Sequence, residues 1–194
     1  MTVRVNKDAF NIREKLSELD YGHVPYDKMP AGSVIRTEFR QFDTRISINH
    51  SSIDYYDFSD LNITISPFSS SSKFLMQANV VSSPDKNPNG GPAFRYEYGG
   101  NIYYGNGDYS YNTGMQSKAF VEVDDMLVAS QIAAVIHFTQ TYHGAALVKP
   151  NTTDPITFKL GYHGSDTFNV NMNNNTSSPI YGAGFTTLTV MEIA

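Results

Sequence analysis

The triplet Tyr-His-Gly occurs twice, as Tyr142-His143-Gly144 and Tyr162-His163-Gly164. Two histidines with a carboxylate make a zinc ligand set, so His143 and His163 are weighed first as metal ligands. The plainer reading, two histidines at strand ends before a turn glycine, is preferred. His23, His50 and His137 are scattered, although His137 and His143 share a face if their segment is extended. Among the acids, Asp54, Asp57 and Asp60 fall on alternating faces of a strand and cannot converge there. Asp124 and Asp125 are adjacent and point apart if extended. Nucleophile-elbow, H-E-x-x-H and Walker spacings are absent. A depolymerase would usually bring a long repeat, and none with a period of 20–50 residues occurs. The expectation is a protein that is not an enzyme, with no cofactor and no metal.

Binding chemistry is better represented. In "GGNIYYGNGDYSYNTG", Tyr103, Tyr104, Tyr109 and Tyr111 alternate with Asn106 and Asp108 on a glycine-bent backbone. Tyrosine offers broad contact area with few rotatable angles, and Asn and Asp offer adaptable hydrogen bonds. Such a surface suits a sugar ring, and these six residues are the candidate receptor or glycan site. The competing reading packs the tyrosines cross-strand on a sheet.

The elements that must position these residues read as all-β. The 194 residues include 13 Tyr and 12 Phe, only 17% are charged, and Cys and Trp are missing. That mixture favours pleated surfaces and turns. Without cysteine, disulfides and thiolate metal sites are excluded. A net charge of -5 argues against nucleic-acid binding. No run is long and apolar enough for a membrane helix, and the first residues lack a secretory h-region. From Ser33 onward, strand signals recur between turn residues: "SVIRTEFRQF", "TRISIN", "IDYYDF", "LNITIS", "KFLMQANVV", "FRYEYGG", "SKAFVEV", "AVIHFTQTYH", "ITFKLGY", "TFNVNMN" and a terminal strand. "SPFSSSS" and "SSPDKNPNGGP" read as loops. Eight to ten short strands without βα alternation imply an antiparallel β-sandwich or jelly roll. A short helical arm precedes it: "NKDAFNIREKLSELDYG" has Asn6 or Asp8 to cap it, Ile12, Leu16 and Leu19 on one face, and Gly22 to end it. A Pro-rich linker closes the arm, giving 1–30 as arm and 31–194 as head.

The terminal "GFTTLTVMEIA" carries apolar residues in both registers, Leu188 and Val190 in one, Phe185, Met191 and Ile193 in the other. Such a strand is expected to be covered on both faces. One cover is the domain's own core.

"MPAGSVI", "LNITISPFSSSSKFLMQANV" and "TTLTVMEIA" resemble a recurrent domain in structural proteins of marine tailed phages, cyanophages among them, and "VRVNKDAFNIREKLSEL" resembles an N-terminal segment of small proteins of such phages. The likeness covers about half of the chain; the tyrosine- and glycine-rich middle departs from it. The resemblance implies a virion protein, assembled in the host cytoplasm: a tail fibre or capsid-decoration subunit with a jelly-roll head. It also implies a homotrimer, with the second cover of the last strand supplied by neighbouring subunits through Phe185, Leu188, Val190, Met191 and Ile193. The arm is then expected to dock to other virion proteins through Phe10, Ile12, Leu16 and Leu19, and the head to touch a host surface glycan. The alternative is a free lectin-like sandwich with its helix packed on its own sheet.

Overall fold

A computed structural model describes residues 29–44, 46–82, 90–105, 140–170 and 184–194. The helical arm expected in 1–30 and the "SKAFVEV" strand lie outside these residues.

Nine strands are described: β1 (Val34–Phe42), β2 (Ile46–Asp57), β3 (Ile63–Ile65), β4 (Lys73–Ser82), β5 (Gly90–Tyr98), β6 (Asn101–Tyr104), β7 (Gln140–Val148), β8 (Ile156–Val170) and β9 (Thr186–Ile193). Every pairing between them is antiparallel. One sheet runs β1-β9-β4-β7. The other runs β2-β8-β5-β6, with the short β3 continuing the β2 edge along β8. A single residue pair, Ser82 with Val170, joins the two sheets. The pairs β1–β9, β2–β8, β4–β7 and β5–β6 nest inside one another, which is the wrapping of a jelly roll. The all-β, antiparallel sandwich expected from the sequence is therefore the observed fold.

The core lies between the sheets. Phe74, Met76, Leu188 and Val190 from the first sheet and Phe94, Phe158, Leu160 and Tyr162 from the second are buried, with Phe58 and Leu61 beneath one edge. Phe74 and Phe158 meet across the gap with ring centroids 4.9 Å apart, and Phe42 stacks on Phe58 at 6.2 Å. Aromatic pairs at such distances contribute about 0.5–1.5 kcal/mol beyond the area they bury.

Three segments differ from the sequence reading. "TRISIN" and "IDYYDF" form one strand, β2, with a register shift between His50 and Asp54. "ITFKLGY" and "TFNVNMN" merge through Gly161 and Gly164 into the fifteen-residue β8. At Gly161 the glycine marks close approach rather than a turn. β5 begins at Gly90, inside the stretch read as a loop. The Gly99-Gly100 turn is as expected: both have positive φ, 56° and 78°, as a two-residue hairpin of twisted strands requires.

The last strand is central, between β1 and β4. Thr186, Leu188, Val190 and Glu192 are buried, while Thr187, Thr189, Met191 and Ile193 are half-buried on the outer face. Glu192 is the exception in the inward register, a carboxylate with no exposure. Arg36 Nη2 donates to its Oε2 at 2.6 Å, and the Phe68 backbone N–H donates to its Oε1 at 2.7 Å. Arg36 also donates to the Ser66 carbonyl at 2.8 Å and lies over the Phe68 ring at 5.0 Å. The serine turn that follows is closed locally, by Ser72 N–H to the Ser69 carbonyl and Ser71 N–H to the Ser69 hydroxyl. "SPFSSSS" and "TVMEI", far apart in sequence, thus meet at one carboxylate.

Candidate functional site

The side chains buried between the sheets are mostly apolar, so polar chemistry is concentrated on the outer faces. On the second sheet, alternation along each strand places Tyr55 and Asp57 of β2, Lys159 and His163 of β8, Arg95 and Glu97 of β5 and Tyr104 of β6 in one outward register. Lys159 Nζ lies 3.2 Å from Asp57 Oδ2 and 3.1 Å from Glu97 Oε2. Arg95 pairs with Glu97, and its guanidinium stacks over Tyr55 at 4.8 Å. Tyr104 meets Tyr55 edge-on at 6.1 Å and His163 edge-on at 5.6 Å. Asn62 Nδ2 donates to Asp57 Oδ2 at 3.2 Å. Burial, reinforced by the Asp57 charge, pushes the Tyr55 hydroxyl well above the ordinary tyrosine range. That hydroxyl is buried without a hydrogen-bond partner. Asp57 and Glu97 thus share one ammonium. The row presents ion-paired, aromatic surface suited to stacking and hydrogen bonding.

The outer face of the first sheet is different in kind. Pairing aligns Val34 with Ile193 and Lys73, Thr37 with Met191, Leu75 and Leu147, and Phe39 with Thr189, Gln77 and Ala145. Val34, Phe39 and Leu147 are 52%, 53% and 60% exposed. Toward the other end the same face turns polar, with Gln41, Thr187, Asn79 and His143 in one row.

No family model and no curated protein matches the chain. Eleven chains of solved structures are similar to it. One is from the crystal structure of the infectious bursal disease virus VP2 subviral particle, at a TM-score of 0.35 and 12% identity, over 84% of this chain and 38% of that one. The chain thus spans under half the length of that relative, and the superposition is too loose to equate the two folds.

The residues singled out in the sequence separate as follows. His143 sits in mid-strand on the outer face of the first sheet and His163 in mid-strand on the second, so the two cannot share a metal within one chain. The plainer alternative is corrected too, since neither histidine ends a strand. His143 Nδ1 is instead in hydrogen-bond contact with Asn79 Oδ1. Among the described residues no three His, Cys, Asp or Glu side chains cluster as a metal site. Tyr103 and Tyr104 are neighbours in a strand and therefore point to opposite faces. Tyr103 stacks between Tyr96 at 5.1 Å and Tyr98 at 4.9 Å on the inner side, the cross-strand packing weighed as the alternative. Tyr104 alone of the pair faces outward. Asn106, Asp108, Tyr109 and Tyr111 lie outside the described residues, as do Phe10, Ile12, Leu16 and Leu19.

The interface reading of the last strand is corrected in part: Leu188 and Val190 are fully buried in the chain's own core and present no outer surface. Met191 and Ile193 do face outward, and Phe185, 51% exposed, precedes the strand. Arg95, Glu97 and Lys159 were not singled out in the sequence. Their signal was period-2 spacing, Arg95 with Glu97 and Lys159 with His163, but which strands lie side by side is not written in a period.

Two tyrosines of the sheets give a pH prediction. A side-chain hydrogen bond with Tyr103 and then burial push Tyr98 up to about 12, and burial pushes Tyr142 up to about 12. The neutral phenols are favoured in the folded state. Their contribution is whole below the unfolded value near 10 and is lost as pH rises from about 10 to about 12. Urea midpoints measured across that window should fall steeply, and Tyr142→Phe should flatten the fall. An unchanged slope in that variant would show Tyr142 to ionise as an ordinary tyrosine.

Proposed function

We propose that the chain is a structural protein of a virus particle, a fibre or decoration subunit of a tailed phage, with no catalytic role. The observation that carries this reading is the jelly-roll wrapping around a core of buried apolar side chains, with exposed apolar residues on the outer face of the sheet that holds the last strand. Jelly rolls serve in capsids, in lectins and in cupins, so the fold alone does not choose among them. A core of buried apolar side chains favours roles performed by surfaces, and the resemblance of "ITISPFSSSS" and "TVMEI" to phage structural proteins favours the virion. In this reading the head is a homotrimer, its subunits meeting through Phe185, Met191 and Ile193. Residues 1–30 attach it to the particle through Phe10, Ile12, Leu16 and Leu19. The row of Tyr55, Arg95, Tyr104 and His163 faces a host glycan, and it is the same row that a free lectin would use.

The test is incorporation. Particles assembled with Leu16→Asp and Leu19→Asp together should lose the protein while the soluble variant keeps its wild-type β-sheet spectrum. Wild-type occupancy in that variant would remove the arm as the anchor. Light scattering of the wild-type protein, with and without chelator, should give three times the monomer mass in both; a monomer in both would leave the trimer without support.

A further inference from the structure

Lys159 of β8 stands between two carboxylates supplied by the strands on either side of it. Its Nζ is 3.2 Å from Oδ2 of Asp57 on β2 and 3.1 Å from Oε2 of Glu97 on β5. All three side chains are half-buried, and the end of the Tyr55 ring lies against Gly161, the residue paired with Asp57. The two acids are not equivalent. Glu97 is also paired with Arg95. Asp57 Oδ2 accepts from Asn62 Nδ2 at 3.2 Å, while its Oδ1 is buried without a hydrogen-bond partner. Buried carboxylate oxygens are ordinarily satisfied. An amine against one oxygen and no donor on the other is the arrangement from which an amide forms.

We propose that Lys159 and Asp57 condense into an isopeptide bond, with Glu97 carrying the protons. Glu97 is within hydrogen-bond reach of Nζ, which is the geometric requirement for a proton carrier. The lone pair freed on Nζ attacks Cγ of Asp57. Negative charge develops on Oδ2, and Asn62 Nδ2 already donates to that oxygen. The Nζ–Cγ bond forms, the Cγ–Oδ1 bond breaks, and two protons pass from Nζ to Oδ1, which leaves as water. Glu97 begins and ends as a carboxylate, the Lys159 and Asp57 charges cancel, and no oxidant or further reactant enters. Water opposes such a condensation between free molecules, but holding the two groups in contact corresponds to an effective concentration of about 10⁵–10⁸ M. The strand that gains is β2. Its register shifts between His50 and Asp54, and β8 is its one described strand partner. The bond fastens β2 to the middle of the sheet just beyond that shift. It forms once per chain and brings no turnover, so it holds whether or not the protein belongs to a virion or binds a glycan.

The wild-type chain itself gives the test. Its intact mass should be one water below that of its sequence, and a protease digest should contain a branched peptide joining the segment of Asp57 to that of Lys159. On a denaturing gel the closed loop between the two residues should migrate ahead of Lys159→Arg, which keeps the charge and cannot form the bond. Glu97→Gln, with the wild-type β-sheet spectrum, should remain at full mass although both reacting groups are present. A wild-type chain at full mass, with the two segments recovered as separate peptides, would overturn the proposal. A water lost to a cyclic imide at another aspartate, or a branch from Lys159 to Glu97, would overturn it as well. Complete reaction in Glu97→Gln would remove Glu97 as the proton carrier.

Discussion

Replacing Glu192 with alanine should cost about 3–5 kcal/mol, the range for breaking a buried ion pair by removing one partner. The carboxylate has no exposure and accepts from Arg36 and from the Phe68 backbone N–H. Its removal takes an acceptor from both, although Arg36 keeps the Ser66 carbonyl. Arg36 is 29% exposed and recovers some hydration, which places the cost toward the lower end. For a chain of this size about 3 kcal/mol lowers Tm by roughly 6–12 °C. Glu192→Gln keeps an acceptor for Phe68 and should lose less. In a double-mutant cycle with Arg36→Met, the two losses should be strongly non-additive, because the second substitution removes the charge that the first leaves uncompensated. Additive losses would mean that Arg36 and Glu192 act independently.

Gly161→Ala should be at least as damaging. A Cβ at this position would lie 2.1 Å from the Tyr56 carbonyl oxygen and 2.6–2.7 Å from the end of the Tyr55 ring. The ring can rotate away; the carbonyl belongs to β2 and cannot move without pulling the strand off β8. Overpacking against movable side chains costs about 1–3 kcal/mol, and a backbone obstacle should exceed it, to about 4 kcal/mol. The expected result is a protein that either unfolds at ordinary temperature or retains sheet content while losing near-ultraviolet signal from its tyrosines. Gly184→Ala serves as the comparison, since the nearest atoms to a Cβ there belong to the Val81 side chain, at 2.2–2.9 Å. Equal effects of the two would show that crowding by a side chain is as damaging as the Tyr56 carbonyl.

Gly161 also shows where the sequence was hardest to read. Within "ITFKLGYHGSDTFNV" the glycines look like punctuation, and the segment divides naturally into two strands and a turn. The cause of the glycine is a neighbour brought from a hundred residues away, which no local pattern reports. The same limit explains Arg95, Glu97, Lys159 and Asp57. Each alternates legibly with apolar residues, so the outward face was readable, yet the ion-paired row exists only because β2, β8 and β5 are adjacent. Fold class was legible because it depends on what is local: β-branched and aromatic runs, turn residues and the Gly99-Gly100 hairpin. The last strand lay in between. Its two apolar registers were correctly visible, but Glu192 stands in the inward one, and only its partners from β1 and from the serine loop reveal why an acid is buried there.

The nested pairing has a consequence for how the molecule is made. β5 and β6 are joined by two residues and can pair as soon as both are synthesised, whereas β1 has only β9 as a described strand partner. A ribosome that has finished β1, β2 and β4 has therefore produced strands whose neighbours do not yet exist. Such distant pairings place folding among the slow topologies, on the order of milliseconds to seconds, and the waiting edges are open to the wrong partners. Closure of the first sheet must be among the final events, so chaperone demand during synthesis should rise with anything that delays the last strand.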